Sequence, residues 1–150
     1  MTHTFTNLMT HIIFSTKDRM PLINDELKPE LHAYLGGMVR ELKGKAYSIN
    51  GTADHVHLLI SLPPTISLSE AMKFIKANSS RWAGEKRKGH KSFGWQTGYG
   101  AFSVSKSNIP NVIKYIDTQE EHHRKISFQE ELIAFLKRHG IEYDERYIWE

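Results

Sequence analysis

Hydrophobic residues follow two different periods along this chain, and together they predict four strands and four helices. Short apolar or alternating segments bounded by turn residues are typical of strands. Longer segments with apolar residues at every third or fourth position are typical of helices. The predicted strands cover residues 8–16, 45–51, 55–62 and 99–105. The predicted helices cover residues 24–43, 67–84, 108–122 and 127–138, with a loop over 86–94.

The order of the first six elements, β-α-β-β-α-β, is that of the ferredoxin-like split βαβ fold. We therefore predict an α/β (α+β) fold with a ferredoxin-like or RRM-like antiparallel sheet of about four strands and helices on both faces. One face of the third strand is wholly apolar, and we place it against the two crossover helices. The other face is left for the helix over 108–122. At 150 residues, the chain is expected to form one domain over residues 1–150.

Two histidines share the second face of the third strand. His55 and His57 flank Val56, and because side chains alternate along a strand, both imidazoles point the same way. They lie one pleat apart, about 6.6 Å along the strand, so both rings can reach one cation. A single His-x-His on a strand is more often structural than metal-binding, so this pair needs a second signal.

The helix over 108–122 supplies that signal. Ser107 or Asn108 can cap it, and Pro110 suits its first turn. Tyr115 and Gln119 are four residues apart, so a phenol and an amide share one flank of the apolar stripe. For Tyr115 taken alone, the alternative is an amphipathic residue at the edge of the core.

These two motifs together, His55-Val56-His57 and Tyr115-Ile-Asp-Thr-Gln119, resemble the single-tyrosine HUH transposases of the IS200/IS605 group, including the REP-associated tyrosine transposases. The resemblance spans nearly the whole chain. Other matching stretches are Ile13–Lys17, Trp95–Ser103, Glu120–His123 and Phe135–Trp149.

The resemblance implies a metal-dependent enzyme that cleaves and rejoins single-stranded DNA through a covalent 5′-phosphotyrosine. Tyr115 would be the catalytic nucleophile, and His55, His57 and Gln119 would bind the metal, Mg²⁺ or Mn²⁺. On ligand softness alone, two imidazoles suit manganese or zinc better than magnesium. The resemblance also implies hairpin-bearing element ends as the DNA partner and a homodimer whose active sites are shared between protomers.

Several other residues of this region have open interpretations. His122, one turn after Gln119, is a surface histidine, a fourth ligand or a partner of a ligand. His11 lies on the first predicted strand, where a structural role is expected. Glu120 falls on the apolar side of its helix, which is understandable only if the helix ends there.

Positive charge is concentrated in one part of the chain. The net charge is only +3, but the segment from Lys73 to Lys91 contains seven Lys or Arg residues and one acid. A phosphate-binding patch and a solvated helix face are about equally compatible with such a block. The predicted DNA-binding residues are Lys17, Arg19, Lys73, Lys76 and Arg81. Trp82, Trp95, Tyr99 and Phe102 could stack on unpaired bases, although Trp82 and Phe102 fit the core better.

The chain contains no cysteine, which excludes disulfides and cysteine-bound zinc. It has neither an 18-residue apolar run nor the pattern of a signal peptide. We therefore expect a soluble, cytoplasmic, nucleoid-associated protein with no membrane partner.

Two other functions remain open at this level. A domesticated relative would nick and join repeats without moving itself. A non-enzymatic RRM-like nucleic-acid-binding domain would have the same sheet, but it would carry aromatic residues where this chain has His55 and His57. The two-histidine phosphoesterases are disfavoured, because they need two His-x-Ser/Thr motifs and this chain does not have two.

Overall fold

The structure is a computed structural model that describes residues 3–86 and 93–149. Most of the predicted 86–94 loop, with Arg87, Lys88 and Lys91, lies outside the described residues. The described strands are β1 (Met9–Ser15), β2 (Lys45–Gly51), β3 (His55–Ser61) and β4 (Gly100–Ser103). The described α-helices are α1 (Leu27–Glu41), α2 (Leu68–Lys86), α3 (Ile109–Asp117), α4 (Gln119–His122) and α5 (Phe128–Arg138).

The four strands form one antiparallel sheet in the order β2-β3-β1-β4. β3 pairs with β2 along one edge and with β1 along the other, so it lies in the interior of the sheet. This is the predicted ferredoxin-like arrangement, and helices pack on both faces of the sheet. The predicted fold class is therefore confirmed.

The apolar face of β3 packs where the sequence predicts. Val56, Leu58 and Ile60 are fully buried in one cluster with Ile12 and Phe14 of β1. The cluster is closed by buried residues of the two crossover helices: Leu27, Leu31, Leu35 and Val39 of α1, and Met72, Ile75 and Ala83 of α2. Burial of this apolar surface is the main contribution to the free energy that holds α1 and α2 on the sheet.

Helices α3 and α5 pack on the opposite face of the sheet. Ile116 of α3 packs with Leu59 of β3. Ile13 of β1 packs with the apolar stripe of α5, which includes Leu132 and Phe135. The sequence predicts α3 on this face but does not place α5, which covers the β1 and β4 side.

The predicted helix over 108–122 is two helices in the structure. The break is at Thr118, whose backbone (φ −106°, ψ 24°) is not helical. Past the break, the direction of the side chains changes, and Glu120 turns outward to form an ion pair with Lys28 of α1 (2.6 Å). The break therefore explains why an acid can stand at a position that a continuous helix would bury.

Within residues 3–86 and 93–149, no helix has the length and apolar character needed to cross a lipid bilayer.

Burial of His32 in α1 predicts a pH-dependent stability. Its Nε2 atom is buried without a hydrogen-bond partner among the described residues, and burial lowers the pKa of His32 from 6.5 to about 4. Between these values the unfolded chain binds more protons than the folded one, so stability falls as the pH is lowered from 6.5 to 4. The slope from one such group reaches at most about 1.4 kcal/mol per pH unit.

Urea unfolding of the native protein and of His32→Leu, each at pH 7 and pH 5, measures this contribution. The variant should lose less stability on acidification than the native protein. Equal losses in the two proteins would contradict the assignment.

Candidate active site

The paired histidines of β3 lie on the same face, as predicted, but they are fully buried. Ile13 and Ser15 of β1 stand opposite His57 and His55 in the ladder, so all four side chains share that face. Neither imidazole has any exposed surface. The sequence leaves this face to the helix over 108–122, and the structure adds α5, whose Phe128 and Glu131 also lie against the rings.

Each imidazole is fixed by a partner on the side away from the cluster centre. Nδ1 of His55 lies 2.7 Å from the Asp54 carboxylate and 2.9 Å from the Thr52 hydroxyl. Nδ1 of His57 lies 2.8 Å from Nε2 of His11. Burial lowers the pKa of His57 to about 4 and that of His11 to about 3. His11, for which we expected a structural role, therefore orients His57 directly.

Tyr115 is held beside the histidines by the way α3 ends. The amide of Asn50 on β2 donates to the carbonyl oxygens of Ile116 (2.9 Å) and Asp117 (3.3 Å) at the last turn of the helix. The Tyr115 ring then lies 5.9 Å from the His57 ring, edge-on. The tyrosine and the histidine pair of one chain thus meet without a second protomer.

Gln119 points into the same space. It is fully buried, and its Nε2 atom donates to Glu131 (3.3 Å) and to the Tyr115 carbonyl (3.4 Å). Its Oε1 atom consequently faces Nε2 of His55 at 3.2 Å. All four residues that the sequence predicts for catalysis and metal binding are therefore brought together.

Two members of the cluster were not predicted: Glu131 of α5 and His123, which follows α4. One oxygen of Glu131 lies 2.9 Å from Nε2 of His57 and 3.0 Å from Nε2 of His123, and its other oxygen accepts the Tyr115 hydroxyl. The carboxylate is only 1% exposed. Its sequence signal is an acid within the apolar stripe of α5, three residues after Phe128 and four before Phe135.

His122, which the sequence offers as a surface residue, a fourth metal ligand or a partner of a ligand, is not part of this cluster. Its ring packs on the Tyr115 ring, with centroids 4.6 Å apart, and its Nε2 atom lies 3.2 Å from the Thr118 hydroxyl. The next residue, His123, takes the inward position because the helix breaks at Thr118.

The electrostatics of the cluster favour a charged carboxylate and a neutral phenol. Burial alone would raise the pKa of Glu131, but hydrogen bonds from His123 and His57 outweigh it and hold the pKa well below its usual value. Burial, reinforced by the contact with Glu131, raises the pKa of Tyr115 above its usual value. Tyr115 in this arrangement is therefore a protonated hydrogen-bond donor.

The predicted DNA-binding residues divide between the two faces of the molecule. Arg19, in a 3₁₀ turn after β1, lines a surface pocket of about 560 Å³ together with Asp54 and His123. Lys17 of the same turn is exposed. Lys73, Lys76 and Arg81 are on α2, across the sheet from the buried cluster.

The three α2 residues also differ from one another. Lys73 and Arg81 are exposed. The ammonium of Lys76 instead donates to the carbonyl oxygens of Gln96 (2.7 Å), Thr97 (3.1 Å) and Gly98 (2.9 Å), and burial lowers its pKa to about 8. In the described conformation Lys76 thus ties α2 to residues 96–98.

A groove of about 410 Å³ runs between α2 and that tied segment. Lys73, Trp95 and Tyr99 contribute to its lining. Tyr99 is 37% exposed, whereas the Trp95 ring is wedged edge-on against Phe14 of the core. Of the four aromatics considered for base stacking, Phe102 is buried in the core, and Trp82 is stacked on Tyr34 of α1.

The family of this chain follows from its sequence match. Residues 4–119, which include His55, His57, Tyr115 and Gln119, match the family model described as Transposase IS200 like. The chain belongs to this IS200-like transposase family. Its members are named transposases, a class of enzymes that transfer DNA strands. The predicted family and enzyme class are confirmed.

Curated relatives agree with this assignment. The transposases for insertion sequence element IS200 of Salmonella typhimurium and Salmonella typhi are each 29% identical to this chain over 126 residues, covering 81% of the chain and 82% of the relative.

Two solved structures share the fold. A crystal structure from Deinococcus radiodurans, assigned as a transposase, has a TM-score of 0.62 at 22% identity, covering 79% of this chain and 96% of that one. A REP-associated tyrosine transposase bound to a REP hairpin has a TM-score of 0.60 at 14% identity, covering 84% of this chain and 76% of that one.

The different environments of Lys76 and Lys73 predict different effects on stability. Lys76→Gln removes a cation that satisfies three carbonyl oxygens and should cost about 1–3 kcal/mol of unfolding free energy. Lys73→Gln changes an exposed side chain and should stay within about 0.5 kcal/mol of the native protein. Urea unfolding at pH 7 measures both. The assignment fails if the two variants are equally stable.

Proposed function

We propose that this protein is a metal-dependent transposase that cleaves and rejoins single-stranded DNA through a covalent 5′-phosphotyrosine on Tyr115. The observation that carries this proposal is the meeting of the Tyr115 phenol, the two β3 imidazoles and the Gln119 amide at one buried point. A nucleophile close to a set of metal-ligating groups is what such a reaction needs.

The bond changes of the proposed cleavage are simple. The Tyr115 oxygen attacks the scissile phosphorus, the bond to the 3′ oxygen breaks, and the phenolic proton is lost as the leaving strand gains a 3′-OH. The new phosphotyrosine retains the energy of the broken phosphodiester, so a 3′-OH of another strand can reverse the step and rejoin DNA without ATP.

The residues present fit a divalent metal. His55, His57 and Gln119 offer two ring nitrogens and one carbonyl oxygen, and His55, His57, His123 and Glu131 have ligand atoms within 4.8 Å of one another. Mg²⁺ or Mn²⁺ bound there would polarise the phosphate and stabilise the leaving oxygen. The nitrogen-rich set favours Mn²⁺ of the two.

Access to this site requires α5 to move. The imidazoles and Gln119 have no exposed surface, and the Glu131 carboxylate lies between them and the Tyr115 hydroxyl. A scissile phosphate needs the space that Glu131 occupies. We propose that α5 is displaced when DNA binds, which also frees Tyr115 from the contact that keeps it protonated.

For the DNA partner, we propose a single strand carrying a hairpin near the element end. The structural relative bound to a REP hairpin supports this choice. Exposed Lys73 and Arg81, with the groove at Trp95 and Tyr99, are the proposed contacts on the α2 face. Lys17 and Arg19 are proposed to contact the strand on the face where the cluster lies.

A homodimer remains part of the proposal, although its active sites need not be shared. Tyr115 already lies beside His57 of its own chain. Exchange of α3 and the following helices between protomers would build the same contacts in trans.

The non-enzymatic RRM-like alternative is less well supported. It expects stacking aromatics on the central strands, where β1 and β3 carry His11, His55 and His57. These residues are buried and paired with one another and with Glu131, so they offer no platform for bases.

Loss of the Tyr115 hydroxyl should abolish covalent joining to DNA. The protein is incubated with labelled single-stranded hairpin DNA and Mn²⁺ or Mg²⁺, and complexes that survive denaturation are counted. Native protein should form them and Tyr115→Phe should not, because phenylalanine has no nucleophile. Tyr143→Phe, which removes a hydroxyl outside the cluster, serves as the matched control. Adducts that persist in Tyr115→Phe would place the nucleophile elsewhere.

Replacing one β3 imidazole should separate cleavage from binding. His57→Gln keeps polar groups toward Glu131 and His11 but removes a metal ligand, so adduct formation should fall by about a hundredfold or more. Hairpin affinity, measured by fluorescence anisotropy, should change little, since phosphate contacts provide most of it. Native cleavage rates in the variant would rule out the metal role of His57.

A further inference from the structure

The Glu131 carboxylate and the His123 imidazole are not among the metal ligands predicted from the sequence, yet they complete the buried cluster. Glu131 Oε1 lies 2.9 Å from Nε2 of His57, 3.0 Å from Nε2 of His123 and 3.6 Å from Nε2 of His55. With metal–ligand bonds of about 2.0–2.2 Å, donor atoms around one ion stand roughly 3–3.5 Å apart. All four donors, on three separate segments, lie within 4.8 Å of one another, so a small inward movement would bring them into one coordination shell.

The orientation of the His55 ring also supports a metal site. Its Nδ1 atom faces the Asp54 carboxylate, which only accepts hydrogen bonds, so Nδ1 carries the proton. Nε2 then presents a lone pair toward the Gln119 and Glu131 oxygens, at 3.2 and 3.6 Å. Lone pairs that face one another repel unless a proton or a metal ion lies between them, and a metal ion can satisfy all of these oxygens and nitrogens at once. An imidazole that donates its outer N–H to a carboxylate is also the usual form of a metal-bound histidine.

A surface pocket adjoins one side of the cluster. His55, His57 and Glu131 are buried, whereas the His123 side chain is partly exposed and lines the pocket of about 560 Å³ that also contains Arg19 and Asp54. Of the four cluster residues, His123 is the one that faces this pocket.

We propose that, in the DNA-free protein, His123 and Glu131 join His55 and His57 as metal ligands, giving a site of three imidazoles and one carboxylate that binds Mn²⁺ or Zn²⁺ more tightly than Mg²⁺. The inference rests on the proposed metal role of His55 and His57 and extends it to two residues beyond the matched segment, residues 4–119. Imidazole nitrogen suits these ions, whereas Mg²⁺ prefers oxygen ligands and retains its waters.

The carboxylate gives the site two further properties. It offsets one of the two positive charges of the ion, which three neutral ligands would leave in full. It also belongs to α5, so metal binding and the docking of α5 over the histidines support each other. When α5 leaves to admit DNA, a phosphate oxygen can take the position of the Glu131 carboxylate, exchanging one anion for another.

Calorimetric titration of metal-stripped protein with Mn²⁺ and with Mg²⁺, without DNA, tests the ligand set. Native protein should prefer Mn²⁺ by about tenfold or more. Glu131→Gln and His123→Asn should each weaken Mn²⁺ binding by about tenfold or more. The matched controls Glu121→Gln and His122→Asn change neighbouring residues of the same types outside the ligand set and should retain native Mn²⁺ affinity. Circular dichroism of metal-free protein checks that each variant is folded.

Hydrogen exchange of α5 adds a readout that hydrogen bonding alone would not produce. Mn²⁺ should slow amide exchange over Phe128–Arg138 in the native protein and leave it unchanged in Glu131→Gln. Native Mn²⁺ affinity in both Glu131→Gln and His123→Asn, or an unaltered α5 on Mn²⁺ addition, overturns the inference.

The adduct assay with Tyr115→Phe is scored separately and needs neither variant. If adducts form normally while Glu131→Gln binds Mn²⁺ as the native protein does, only this inference fails. If native protein forms no adduct, the proposed chemistry fails, whatever the ligand set.

Discussion

The structure of the site depends on one buried negative charge. An ionised carboxylate with 1% exposure is costly unless hydrogen-bond donors surround it, and Glu131 is contacted by His57, His123, Gln119 and Tyr115. Those four residues come from β3, α3, α4 and the segment after α4. The need to pair one charge therefore ties α5 to these side chains and helps to set their orientation, together with the apolar packing of α5 on Ile13 and Phe102.

The sheet separates two surfaces that carry different groups of residues. The cluster of Tyr115, the histidines and Glu131 lies under α3 and α5, whereas the exposed bases Lys73 and Arg81 and the groove beside Tyr99 lie with α2 on the opposite face. DNA that uses both must pass around an edge of the sheet. β4 forms one of these edges and follows directly after the groove-lining segment.

How far the sequence predicts this protein can be judged from particular residues. The shared direction of His55 and His57 follows from strand alternation, and the apolar opposite face identifies the layer beneath α1 and α2. The break at Thr118 was not placed by the sequence, although Glu120 on the apolar side of the predicted helix was a sign that the helix ends near that position. Glu131 was missed although an acid in the apolar stripe of α5 was a visible signal. Without the position of α5, that acid had no partner to suggest its role.

The sequence by itself determined the strands and helices, their order, the sides on which the histidines and the apolar residues of β3 lie, and the family. All of these depend on periodicity and on motifs within a few residues. Only the tertiary structure decided that α5 covers the histidines, that His123 and not His122 turns inward, and that Lys76 binds backbone carbonyls. Those outcomes depend on contacts between residues far apart in the chain, whose energies are set by burial and by the pairing of buried polar groups.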